Sequence, residues 1–128
     1  MKIRIQNRIQ MDEQVEQIDQ SYAVDWTQKG AYHYLLFKNE EGEKVVLKFH
    51  DEELVMTRFS TPKSLMRFIK GGEALVGIPT PIGMQQFITK TSHCQVDLKK
   101  QIVELHYQLR MPDGERTFAD YQMEISWR

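Results

Sequence analysis

The side chains with chemistry to offer are four histidines (His33, His50, His93 and His106), one cysteine (Cys94) and an arginine in an apolar stretch, Arg67. A zinc centre needs three or four converging N, S or O ligands. No two of these histidines have the i, i+2 spacing of a strand face or the i, i+4 spacing of a helix face. His93 and Cys94 are adjacent, so a strand sends them to opposite faces. His50 falls at a turn and His106 on the polar parity of its strand, so no metal is expected. A nucleophilic Cys94 would need a depressed pKa and an oriented base. Neither is signalled, and Cys94 reads as a small core residue. No nucleophile–base pair or carboxylate pair stands out. The glycine-rich run at 71–83, GGEALVGIPTPIG, matches neither GxxxxGK[ST] nor GxGxxG, so it reads as loop geometry and no nucleotide cofactor is expected.

Arg67 is the residue with the most at stake, and strand parity decides its role. If Leu65 and Ile69 face inward, Arg67 does too. A buried guanidinium must be paired, and a ligand carboxylate or phosphate supplies a bidentate partner. If Met66 and Phe68 face inward, Arg67 is on the surface. Arg58 is expected outward, because Val55, Thr57 and Phe59 look like an inward face. Tyr22, Trp26, Tyr107, Tyr121 and Trp127 either line a pocket or fill a core.

These side chains must be positioned by strands. In 102–111, Val103, Leu105, Tyr107, Leu109 and Met111 alternate with Glu104, His106, Gln108 and Arg110. In 121–127, Tyr121, Met123, Ile125 and Trp127 alternate with polar residues. A period of two places each apolar set on one face, the signature of antiparallel sheet. The same alternation runs through 2–11 and 44–50. In 14–27, Ile18, Tyr22, Val24 and Trp26 share a parity; Val15, Ile18 and Tyr22 also fit a helix, but the β-forming residues favour a long strand. Residues 31–38 are apolar enough to be covered on both faces. Turns are expected at 28–30, 39–42, 50–52, 61–63, 99–100 and 111–114. The segment 70–83, with Pro79, Pro81, Gly71 and Gly72, reads as a crossover or lid loop with a helical turn near 73–76. A long strand then covers about 84–98.

The 128 residues predict one domain, 1–128, with a core that needs no staples. A net charge of −1, with basic and acidic residues interleaved, excludes the field that would gather nucleic acid. One cysteine excludes an internal disulfide framework and fits a reducing compartment. Without a signal-like apolar core or an apolar run of about 20 residues, no membrane association is expected. The expected location is the cytoplasm. Eight or nine strands joined by hairpins predict an all-β, antiparallel up-and-down (meander) β-barrel of about eight strands, whose closure removes exposed edges.

From Tyr34 to Trp127 the chain resembles the YwiB-like bacterial family, a group of unknown function. The resemblance rests on Met56-Thr57-Arg58-Phe59, Leu65-Met66-Arg67-Phe68, Thr80-Pro81-Ile82-Gly83, Thr89-Lys90-Thr91 and Val103-Glu104-Leu105-His106-Tyr107-Gln108-Leu109. The first thirty residues match in strand pattern and length. The resemblance implies a lipocalin-like (calycin-type) barrel and supplies no activity. The functional expectation is a non-enzymatic protein binding a small, partly apolar ligand inside the barrel, with Arg67 anchoring an anionic group. Tyr22, Trp26, Tyr107 and Tyr121 would be the walls. The alternative is a filled barrel acting through its outer surface, as a homodimer or an adaptor.

Overall fold

A computed structural model describes residues 1–113 and 116–128. Among them are ten strands: β1 (Lys2–Met11), β2 (Gln14–Lys29), β3 (Tyr32–Lys38), β4 (Lys44–His50), β5 (Glu53–Arg58), β6 (Ser64–Ile69), β7 (Glu73–Thr80), β8 (Gly83–Asp97), β9 (Ile102–Arg110) and β10 (Thr117–Trp127). Each pairs antiparallel with its neighbours in sequence, and β1 with β10, giving a closed meander barrel. The all-β antiparallel expectation holds, with ten strands rather than about eight. Residues 15–22 extend as part of β2, so the helical alternative is not the one adopted. The expected turn at 111–114 includes Gly114, which lies outside the described residues.

The largest departure from the sequence reading is β7. The segment read as a loop with a helical turn is a strand, paired with β8 from Glu73↔Lys90 to Thr80↔Gly83. Its prolines are compatible because a proline is tolerated where a ladder lacks a partner on one side. Toward β6 the only registered pair of β7 is Leu65↔Gly77. That thin seam is bridged from inside. The buried Thr89 hydroxyl of β8 donates to the Arg67 carbonyl of β6 at 2.5 Å. Gly71 and Gly72 exchange backbone hydrogen bonds with Thr91. A wall with few ladder bonds is thus held by side-chain and turn hydrogen bonds.

In a meander all hairpins that follow odd-numbered strands lie at one end. The β1–β2, β3–β4, β5–β6, β7–β8 and β9–β10 connections therefore rim one mouth, and both chain termini lie at the other end. The terminal end is filled. Ile3, Leu35, Leu47, Phe49, Leu54, Leu105, Ile125 and Trp127 are buried there, each on the parity that period two dictates. Trp127 packs edge-on against Trp26 and Phe49, with ring centroids 5.5 and 5.6 Å away. Cys94 is buried in the same cluster. Burial pushes its thiol pKa up, which suits a core residue and not a nucleophile. β3 buries His33, Leu35 and Phe37 and leaves Tyr34 and Leu36 half-buried outside, so its two faces are unequally covered.

Candidate functional site

Which residues point into the mouth follows from register, because directly paired residues share a sheet face. Inward-facing Phe49, Leu47 and Val45 of β4 pair with Leu54, Met56 and Arg58 of β5. These pair in turn with Phe68, Met66 and Ser64 of β6. Arg67 therefore stands on the outer face. Its guanidinium is about half exposed and forms an ion pair with Glu53, Nη2 to Oε2 at 2.8 Å. Of the two parities open for β6, the one with Met66 and Phe68 inward is adopted, so the expected role of Arg67 as an anchor inside the barrel is corrected, and so is the expectation of an outward Arg58. Arg58 lies on the inward parity at the rim, and Phe59 is exposed.

Between the mouth and the packed end is a cavity of about 230 Å³. Its apolar wall is built by Ile5, Phe37, Val45, Met56 and Met123, from β1, β3, β4, β5 and β10. Asn7, Gln20, Tyr22 and Arg58 add polar groups, and Asn39 and Glu40 of the β3–β4 turn reach the rim. That turn is stapled by the Asn39 side chain, whose Oδ1 accepts from the N–H groups of Glu41 and Glu43, with Gly42 at φ 76°. The Asn39 amide donates to the Glu43 carboxylate at 3.0 Å. The Arg58–Glu43 ion pair is long at 3.9 Å, beyond the usual 2.7–2.9 Å of a charge-assisted hydrogen bond. The guanidinium is thus held loosely over the cavity.

Tyr22 stacks on Phe37, centroids 5.0 Å apart, and its hydroxyl donates to Glu40 Oε2 at 2.5 Å. Burial, followed by the Glu40 carboxylate, pushes the Tyr22 pKa up to about 12, so the phenol stays a donor at neutral pH. The same bond holds the Glu40 carboxyl below its ordinary range. Its contribution to stability is present above the unfolded carboxyl pKa and disappears as pH falls through the lower folded value. In a Tyr22→Phe variant, Glu40 should titrate closer to an ordinary glutamate, read from its side-chain carboxyl resonance. An unmoved Glu40 titration would show that Tyr22 is not its partner in solution.

Deeper in the wall, Asn7 Oδ1 is one of the buried side-chain atoms without a hydrogen-bond partner among the described residues. Such an atom calls for a partner. Burial pushes the Tyr107 phenol pKa up, and the nearby Asn7 side chain offsets a small part of that push. Tyr107 is buried and lies parallel to Tyr121, centroids 4.6 Å apart. Of the four aromatic walls expected from sequence, Tyr22 faces this cavity and Tyr121 a neighbouring hollow. Tyr107 and Trp26 belong to the packed interior cluster or its margin. Trp26 Nε1 donates to Nδ1 of the buried His33 at 3.1 Å.

The other candidate groups are placed elsewhere. His50 Nδ1 accepts from the Glu52 N–H in its turn. His93 leaves β8 on the outer face beside a bulge between Thr91 and His93, where it meets Glu104 at 3.3 Å and the His106 ring at 4.7 Å. A hollow of about 430 Å³ between Gln6, Arg8, Asp19, Glu104 and Gln122 is larger than the interior cavity, but it is walled mainly by outward side chains. No described helix is long and apolar enough to cross a membrane.

Comparison with known proteins adds a family and a fold. A family model described as a domain of unknown function (DUF1934) matches residues 3–125. No curated protein matches the chain. Among solved structures, the ywiB protein from Bacillus subtilis is similar over 97% of this chain and 87% of its own, with 19% identity and a TM-score of 0.81. At that identity the likeness concerns the fold.

Proposed function

Because the chain belongs to the family defined by a domain of unknown function (DUF1934), we propose a role argued from its own cavity, as a non-enzymatic protein that holds a small, partly apolar, anionic ligand in the barrel mouth. The observation that carries this reading is Arg58 on the inward parity above an apolar cavity that contains the unpartnered Asn7 Oδ1. Ligand sites combine apolar walls with a few convergent polar groups, and this wall has that composition. Arg58 supplies forked donors for a carboxylate. Asn7 Oδ1 accepts from a ligand O–H or N–H, and Met56, Val45 and Ile5 surround the hydrocarbon part. The cavity is small, so the ligand is of a few heavy atoms' breadth and not a macromolecule. The role fits a lipocalin-like (calycin-type) barrel by analogy of fold, and a cytoplasmic protein.

A medium-chain carboxylate is the direct probe. Octanoate titrated into the protein should shift the methyl resonances of Met56 and Val45 saturably, and those of Leu47 and Ile125 at the packed end much less. Uniform or non-saturating shifts would count against an interior site.

A second reading rests on the outer face of β6–β8, where Leu65, Leu75 and Met84 are 41%, 62% and 55% exposed. On this reading the barrel pairs with a second copy through that face. A molar mass constant at the monomer value across a dilution series, measured by light scattering, would remove it.

A further inference from the structure

A different compartment opens at the same mouth, on the β7–β10 side. It measures about 370 Å³, and Ile78, Phe87, Leu109, Met111, Phe118 and Tyr121 supply its apolar wall. The remaining lining residues are Thr80 and Gln85, both uncharged. Phe87 and Leu109 are buried at its base, in a small apolar cluster with Val76 that is separate from the main core. This side of the mouth therefore differs in kind from the Arg58 side: it has volume and aromatic surface, and no charged side chain among the described residues that line it.

Phe118 makes the compartment specific. Alternation along β10 puts Ala119, Tyr121, Met123, Ile125 and Trp127 on the inner face, which would turn Phe118 outward. The register with β9 shifts between Thr117, opposite Arg110, and Ala119, opposite Leu109, so Phe118 is the extra residue of a bulge. A bulge re-aims a side chain at the cost of ladder pairing. Here it brings the Phe118 ring to 5.7 Å from that of Phe87, at 57°. Despite that contact Phe118 remains 49% exposed. Tyr121 adds a third ring whose other side is covered by Tyr107. Two tilted rings and a backed tyrosine leave faces and edges directed at one space, the arrangement in which an inserted aromatic ring finds offset and edge-on partners.

We infer that this compartment is a second binding site, for an uncharged aromatic group. Charged ligands are disfavoured because no described lining residue could pair with them. Thr80 and Gln85 at the open side suit a single polar substituent on the ring. The inference stands apart from the Arg58 cavity and holds whether or not that cavity takes an anion.

N-phenyl-1-naphthylamine, an uncharged aromatic fluorophore, is the probe. Titrated into the protein it should show saturable, blue-shifted enhancement. Gln85→Trp introduces an indole from an exposed position on the compartment wall and should weaken binding at least tenfold. Phe118→Ala, at a half-exposed site, should weaken it several-fold while circular dichroism shows the barrel still folded. Arg58→Met should leave it within twofold. Absence of saturable binding would overturn the inference. So would affinity unchanged in both Gln85→Trp and Phe118→Ala, or a loss seen only in Arg58→Met, which would put the fluorophore in the other cavity.

Discussion

Replacing Trp127 with alanine should destabilise the barrel by about 3–5 kcal/mol in equilibrium urea unfolding, the range for truncating a large buried aromatic residue. That is a large fraction of the ~5–15 kcal/mol available to a domain. The position justifies the upper range. Trp127 has no exposed surface and is the largest fully buried side chain. It lies in the last pair before the chain closes on itself, opposite Ile3 of β1. The neighbouring Lys2 and Arg128 exchange backbone hydrogen bonds at 2.7 and 2.9 Å. Gln101 holds the Trp127 backbone from the β8–β9 turn, accepting from its N–H at 3.2 Å and donating to its carbonyl at 2.5 Å. A void here sits at the β1–β10 seam, with Trp26 and Phe49 both losing a packing face. Trp127→Phe separates packing from hydrogen bonding. The indole Nε1 is buried with no partner among the described residues. Phenylalanine therefore removes volume but also an unpaired donor, and the expected loss is only about 1–2 kcal/mol. Equal losses for the two variants would mean that the indole N–H is hydrogen-bonded.

The sequence made the strands legible wherever one parity was apolar and the other polar. β1, β4, β9 and β10 are such strands, and their inner faces are the expected ones. In β5 and β6 both parities are apolar; alternation left β6 open between its two faces, and in β5 side-chain preference pointed the wrong way. Val55 and Thr57 look like core residues because β-branched side chains suit any half-covered sheet surface, including an outer one. Counting would have resolved the ambiguity. The β4–β5 connection leaves two residues, Asp51 and Glu52, between the paired His50 and Glu53. Opposed residues share a face, so an inward Phe49 forces Leu54, Met56 and Arg58 inward, and the next hairpin carries the assignment to Met66 and Phe68. The correct arginine was therefore readable from the turn length. β7 was not readable in the same way. Its prolines argue against a strand with two full ladders, and only its place beside the sparsely paired β6 makes them acceptable. Nor could alternation reveal Phe118, since a bulge breaks the rule by which it would be found.

The interchange of the two arginines makes the sharpest test of the interior site. Octanoate should bind the Arg58→Met variant about tenfold more weakly than the unaltered protein, measured by calorimetry at low salt. A hydrogen bond to a charged group is worth ~1.5–3 kcal/mol. The Arg58 side chain is 45% exposed, so solvent screening puts the expected loss at the lower end, near one decade of affinity. Methionine keeps most of the aliphatic stem's packing while removing the charge. Arg67→Met should leave octanoate affinity unchanged, because that guanidinium stands on the outer face with Glu53. Glu43→Gln works in the opposite sense. Removing the carboxylate 3.9 Å from Arg58 leaves the guanidinium to the ligand and should tighten binding by a few-fold, an effect that added salt reduces. Loss of affinity in Arg67→Met, with Arg58→Met unaffected, would place the anion on the outer wall and sink the interior site.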